Sequence, residues 1–189
     1  FKLISSLIFM NKIDKFTIKA FDEGYKSRSV FKLKYIQRKF NLIRPGNKVL
    51  DLGASPGSWS QFAKELGAKV VAVDSKPMKL KGINFIQEDI FKFEINEVFD
   101  VVLSDLSPKT TGIKSLDSEV SYDLCIKALE ISDKFLVRTG KFLCKIFQSE
   151  FFNKFHNEMR KNFRTVRTIK PEASKKRSRE IYLLGINKL

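Results

Sequence analysis

From about residue 45 to the end of the chain, short runs of β-branched and apolar residues alternate with segments whose apolar positions recur at helical spacing. This alternation is the strongest constraint on the fold. Strands separated by helices pair in parallel through crossovers, so the chain is expected to build one mostly parallel sheet with helices on its faces. The candidate strands are Lys48–Leu52, Lys69–Asp74, Asn84–Gln87, Asp100–Ser104, Lys141–Ile146, Thr165–Ile169 and Glu180–Ile186. Seven strands predict a single doubly wound α/β domain, and 189 residues with 43% hydrophobic content suit one continuous core. Trp59, Phe62, Ala63 and Leu66 mark a buried helix face that stops at Gly67, and Leu124, Ala128, Ile131 and Phe135 mark another that stops at Gly140. A further helix is expected at residues 26–44, with Val30, Leu33, Ile36 and Phe40 facing inward. No repeat, low-complexity tract or long Gly/Pro/Ser linker divides the chain.

The segment Val49-Leu50-Asp51-Leu52-Gly53-Ala54-Ser55-Pro56-Gly57-Ser58-Trp59 reads as a buried strand running into a glycine turn that opens a helix. Doubly wound sheets bind nucleotides at this position, and Gly53 and Gly57 let backbone approach a ligand closely. Asp74 ends the next strand, placed to accept from a ribose hydroxyl. Asp89 follows the third strand, where it either accepts from an adenine amine or caps a helix. The dinucleotide fingerprint G-x-G-x-x-G brings backbone against a pyrophosphate, whereas this loop lacks the middle glycine and carries Pro56. A Rossmann-like domain for a nucleoside ligand without a pyrophosphate fits better than a nicotinamide oxidoreductase, which stays as the alternative from another class.

Lys and Arg number 36 against 21 Asp and Glu, a formal charge of +15, which favours a polyanionic partner, nucleic acid first. Two regions concentrate this charge: 26–44, with Lys26, Arg28, Lys32, Lys34, Arg38, Lys39 and Arg44, and the expected loop 170–179, with Lys170, Lys175, Lys176, Arg177 and Arg179. Each is either a solvated face or a phosphate-binding one. Cys125 and Cys144 lie in apolar stretches beside a single histidine, His156, so no zinc site is expected and a reducing, cytoplasmic compartment is. The opening run Phe1–Met10 is too short to span a bilayer and no small-residue cleavage site follows it, so no membrane anchor is expected. With Phe at position 1 and the first methionine at Met10, the residues before Met10 are expected to be translated upstream sequence.

The run Asp51-Leu-Gly-Ala-Ser-Pro-Gly-Ser-Trp-Ser-Gln61, with Ser27-Arg28-Ser29-Val30-Phe31-Lys32-Leu33 before it, resembles the FtsJ/RrmJ RNA methyltransferases. The likeness continues through Val73-Asp74-x-x-Pro77-Met78, Ser104-Asp105-x-x-Pro108, Lys145-Ile146-Phe147-Gln148 and Arg177-Ser178-Arg179-Glu180-Ile181-Tyr182. It covers roughly residues 25–187, leaving 1–24 as an N-terminal extension to a methyltransferase domain at 25–189.

The resemblance implies an S-adenosylmethionine-dependent enzyme, without a metal, that methylates a ribose 2′-hydroxyl of RNA. A uridine of large-subunit ribosomal RNA is the first expectation for the target, within the ribosomal subunit, and the enzyme is expected to act as a monomer. A tRNA methyltransferase of the same family and a non-catalytic RNA-binding assembly factor are the other readings. It further implies a catalytic tetrad of Lys32, Asp105, Lys145 and Glu180, and cofactor contacts from Gly53, Gly57, Trp59, Asp74, Asp89 and Asp105. RNA contacts would come from Arg28, Lys34, Arg38, Lys175, Lys176, Arg177 and Arg179. Independently of the likeness, Asp105 and Lys145 each lie at the end of an apolar strand, where a charge needs a partner or a function. Lys145 is expected to act either as a base, its pKa lowered by burial and by Lys32, or as a donor that positions the hydroxyl. Lys109 stands where bacterial relatives generally carry asparagine after the proline, adding charge near the substrate mouth.

Overall fold

Valines and leucines buried on both faces define the central strands, as a parallel sheet covered by helices on both sides requires. In a computed structural model, residues 14–174 and 178–189 are described, and they form α1 (Lys15–Asp22), α2 (Val30–Phe40), β1 (Lys48–Leu52), α3 (Ser58–Glu65), β2 (Lys69–Asp74), β3 (Asn84–Gln87), β4 (Phe99–Ser104), α4 (Lys114–Phe135), β5 (Leu136–Phe147), α5 (Phe152–Asn162), β6 (Phe163–Ile169) and β7 (Glu180–Lys188). The sheet order is β3-β2-β1-β4-β5-β7-β6. The first five strands in that order run parallel, and β7 pairs antiparallel with both β5 and β6.

Alternating side chains send each strand into two cores. Leu50, Leu52, Val102, Phe142 and Ile146 pack under α4 and α5 with Ala128, Ile131, Phe155 and Met159. Val49, Val101, Leu103, Leu143, Tyr182 and Leu184 pack under α2 and α3 with Leu33, Ile36, Trp59 and Ala63. The second layer matters for the site, because it fixes α2 over the ends of β4, β5 and β7.

Two expectations need correction. The basic helix occupies Val30–Phe40 rather than 26–44: Ser29 precedes its first turn and Asn41 ends it in the left-handed region at φ 44°, so Lys26, Arg28 and Arg44 lie outside it. Gly140 does not stop the preceding helix. That helix ends at Phe135 because Leu136 is already extended, and Gly140 sits inside β5, where a Cβ would come within 2.5 Å of Leu136 Cγ. The strand expected from Lys141 therefore starts at Leu136. Part of the expected N-terminal extension is α1, capped by Asp14 accepting from Phe16 N at 3.0 Å and packed through Ala20 against Tyr25 and Val30. The run Phe1–Met10 and the basic residues Lys175, Lys176 and Arg177 lie outside the described residues. Among the described residues no helix is long and apolar enough to cross a membrane.

Candidate active site

Five parallel strands end at one edge of the sheet, and antiparallel β7 begins there, so sheet order dictates which side chains become neighbours. Along that edge follow Asp89 after β3, Asp74 at the end of β2, the Gly53–Gly57 turn after β1, Asp105 after β4, Lys145 near the end of β5, and Glu180 at the start of β7. The row is acidic and glycine-rich at one end and holds Lys145 between two carboxylates at the other.

The turn after β1 is held by the chain itself. Gly53 N and Ala54 N donate to Val73 O at 2.9 and 3.2 Å, and Asp74 accepts from Ser55 N at 2.9 Å and from Lys76 N at 2.8 Å. Gly57 has φ 108°, and a Cβ there would lie 2.3 Å from Leu80 Cδ1 and 2.7 Å from Met78 Sδ. Trp59 is buried: its ring lies 5.9 Å from that of Tyr182 and its Nε1 donates to Ser29 O at 2.9 Å. Its indole therefore ties α3 to the start of α2, which leaves backbone N–H groups of the first helical turn as its means of touching a ligand. Asp89 is exposed and accepts from Phe91 N at 3.0 Å. That is a local turn rather than a helix cap, since no helix follows it.

At the other end two lysine–carboxylate pairs converge. Lys145, 5% exposed, donates from Nζ to Asp105 O at 2.8 Å and lies 3.2 Å from Asp105 Oδ1. Lys32, on the inner side of α2, pairs with Glu180 Oε2 at 2.6 Å. Burial pushes the Glu180 carboxyl up, but the Lys32 ammonium, with Lys145 beyond it, outweighs burial and holds it below the usual range. Tyr182 stands between the pairs. It is directly opposite Lys145 in the β5–β7 register, donates from its hydroxyl to Asp105 Oδ1 at 2.8 Å, and lies under Lys32 Nζ at 5.8 Å from the ring centre. Burial, with Asp105 and Glu180 beside it, pushes its phenol well above the ordinary value, so it stays a donor.

Tyr182 and Asp51 were given no role on sequence grounds. Tyr182 was within reach of a period-two argument, since it shares a strand face with Glu180. Asp51 had a plainer signal, a carboxylate inside a Val-Leu-Asp-Leu strand. It is fully buried, accepts from Ser60 Oγ at 2.5 Å, and leaves Oδ1 without a partner. Burial pushes its pKa up to about 7 despite the Ser60 bond, and the carboxylates of Asp105 and Asp74 add to the rise.

The basic residues divide. Arg28 pairs with Asp14 Oδ2 at 2.6 Å and donates to Ala173 O, and Lys34 pairs with Glu23 at 2.7 Å, so both hold the protein together. Arg38 is exposed near the Tyr35 ring. Arg179 donates to Ser118 Oγ at 2.9 Å and lies over the Phe147 ring. A cleft of about 280 Å³ opens beside the lysine end, lined by Ser27, Arg28, Ser29, Lys32, Ser178 and Glu180.

Comparison with known proteins decides what this edge belongs to. A family model described as FtsJ-like methyltransferase matches residues 25–188. The chain belongs to the FtsJ-like methyltransferase family. Among curated members, the ribosomal RNA large subunit methyltransferase E of Bdellovibrio bacteriovorus is 43% identical, over 94% of this chain and 98% of its own length. The protein of the same name from Archaeoglobus fulgidus is 46% identical over 91% and 94%. A crystal structure described as a ribosomal RNA methyltransferase from Plasmodium falciparum superposes with a TM-score of 0.79 at 26% identity, covering 87% of this chain and 99% of that one. More distant is a methyltransferase from Burkholderia thailandensis, crystallised with S-adenosylhomocysteine, which shares the fold at a TM-score of 0.58 and 15% identity. In this FtsJ-like methyltransferase the four residues of the tetrad motif thus stand as two ion pairs at one sheet edge, in line with the glycine turn.

Proposed function

We propose that this chain transfers a methyl group from S-adenosylmethionine to a ribose 2′-hydroxyl of large-subunit ribosomal RNA, most specifically of a uridine. The observation that carries the reading is the convergence of the Lys145–Asp105 and Lys32–Glu180 pairs around Tyr182, at the edge that also carries the glycine turn. The names of the full-length relatives support ribosomal RNA as substrate.

The residues present suit an adenosyl sulfonium ligand. Gly57 has no room for a side chain, and acidic groups line the edge from Asp89 through Asp74 to Asp105. The unpartnered buried oxygen of Asp51 adds negative potential beneath the turn when ionised. Bound there, S-adenosylmethionine supplies an electrophilic methyl on a cationic sulfur. Asp74 would hold the ribose side, Asp89 the adenine amine, and the backbone of Gly53, Gly57 and Trp59 the remainder. Asp105 would face the sulfonium.

The work left to the protein is chiefly alignment, because the methyl is already activated. Lys145 donates to the main-chain carbonyl of Asp105 and stands in ion-pair contact with its carboxylate, so its ammonium is anchored on one side and can donate to a ribose oxygen on the other. This is the geometry of a donor that fixes the hydroxyl in line, and it favours the positioning role for Lys145 over the role of base. Tyr182 holds the Asp105 carboxylate in the orientation that Lys145 needs. Lys32 and Glu180 line the adjoining cleft and are placed to hold the substrate sugar.

The test is transfer of tritiated methyl from S-adenosylmethionine to unmodified large ribosomal subunits, free ribosomal RNA and tRNA. The reading predicts label in large-subunit RNA, at a nucleotide whose 3′-linkage resists alkaline hydrolysis. Label confined to tRNA, or located on a base, would contradict it.

A further inference from the structure

A second cleft, of about 450 Å³, lies on the outer side of α1 and α2. Three half-buried aromatic rings line it, Phe16 from α1 with Phe31 and Tyr35 from α2, and the first two are 5.7 Å apart and tilted. Each of its cations sits over one of these rings: Lys19 at 5.3 Å and Lys34 at 5.6 Å from Phe31, Arg38 at 6.0 Å from Tyr35. The cleft also contains Glu23, already neutralised by Lys34 at 2.7 Å, and Glu172 at its rim.

This composition selects its occupant. With Lys34 paired to Glu23 and Glu172 also lining it, the cleft offers little net positive charge to a phosphate, while aromatic faces suit a flat, neutral ring. Arg38, exposed beside the Tyr35 ring, can meet a phosphate next to such a ring. Rings flanked by Lys and Arg are how proteins hold unpaired bases of single-stranded RNA. The cleft also neighbours the active-site one across Arg28. Arg28 lines the active-site cleft, lies 5.5 Å from the centre of the Phe16 ring, and donates to the carbonyl of Ala173, which lines the aromatic cleft. Lys32 and Phe31 stand on neighbouring stripes of one helix, so the two clefts are separated by about one helix width, roughly 10 Å.

We propose that this aromatic cleft is a nucleobase-stacking subsite, which receives an unpaired base of the RNA strand close to the nucleotide being methylated. The proposal rests on the RNA reading above and adds a structural demand on the substrate, that a base next to the target be unstacked and available. It gives α1 a part in RNA binding, since Phe16 and Lys19 come from it.

The test replaces rings without emptying the packing, in Phe16→Leu, Tyr35→Leu and the double variant, with Tyr35→Phe as the conservative control. Methyl transfer to unmodified large ribosomal subunits is measured against subunit concentration. Loss of base stacking is expected to raise KM for subunits about tenfold in the double variant. The values of kcat and of S-adenosylmethionine affinity stay within about twofold, and Tyr35→Phe behaves as wild type. An unchanged KM with active wild-type enzyme overturns the subsite and leaves the methyltransferase reading standing. A wild-type enzyme that labels no large subunit counts against that reading instead. The subsite is then judged by a second measurement on the wild-type protein, ultraviolet cross-linking to single-stranded RNA containing 5-iodouridine. Cross-links at Phe16, Phe31 or Tyr35 support it; cross-links confined to other residues overturn it.

Discussion

Asp51 is the residue whose chemistry the fold perturbs most visibly, and its consequence can be measured without any substrate. Its carboxyl is raised from an ordinary 3.8 to about 7 by burial, with Asp105 and Asp74 nearby. The folded state therefore keeps a proton that the unfolded chain releases near pH 4, so stability is fully present below about pH 4 and falls as pH rises to about 7. Above that the contribution is flat. Melting temperature is expected to decline between pH 5 and 7 in the ligand-free protein, and Asp51→Asn, which mimics the protonated acid and still accepts from Ser60, is expected to flatten the decline. A wild-type profile level over that range would show that Asp51 ionises normally. At the lysine end, the expectation that Asp105 steers Lys145 came with the resemblance and not from local pattern, because 40 residues separate them. What could be read was that each charge sat in an apolar strand and needed a partner. Only the adjacency of β4 and β5 names the partner.

At the scale of the elements, the strands other than β5, which starts at Leu136 rather than Lys141, were legible to within two residues because β-branched runs between turn signals have few other ways to fold. β1, β2 and β3 begin and end where the pattern placed them. The helices were less legible where tertiary contacts overrode local signals. Gly140 carried a stop signal but serves a close approach inside β5, and α1, as short as α3, lay in the stretch read only as an N-terminal extension. The turn from β1 into α3 was readable from its glycines, and its geometry gives a prediction. Gly57→Ala sets a side chain at φ 108° against Leu80 and Met78. Strain of this kind costs on the order of 1–3 kcal/mol, to be read from urea denaturation. S-adenosylmethionine affinity, measured by calorimetry, is expected to fall with it. A variant as stable and as tight-binding as wild type would mean that the turn does not hold the cofactor.

For the whole molecule, the formal charge of +15 sits on a chain whose candidate active-site edge is partly acidic, so the cations serve two purposes. Arg28 and Lys34, expected to meet RNA, are engaged in ion pairs that join α1, α2 and the segment after β6. Sequence shows how many cations a chain has, but not which are spent on its own carboxylates. Those at the surface still predict a steep salt dependence: methyl transfer at subsaturating RNA is expected to fall by at least tenfold between about 50 and 200 mM salt, through KM rather than kcat. A rate indifferent to salt would argue against a phosphate-rich substrate.

The most direct test of the central claim, that the Lys145–Asp105 pair beside Tyr182 aligns the reacting hydroxyl, is a single-turnover measurement with cofactor and large subunits both saturating. Lys145→Ala is expected to lower that rate by at least about a hundredfold, the scale of losing an aligned donor at a reacting oxygen. Its affinity for S-adenosylmethionine is expected to stay within a few-fold of wild type. A Lys145→Ala enzyme that transfers methyl at the wild-type single-turnover rate would contradict the account.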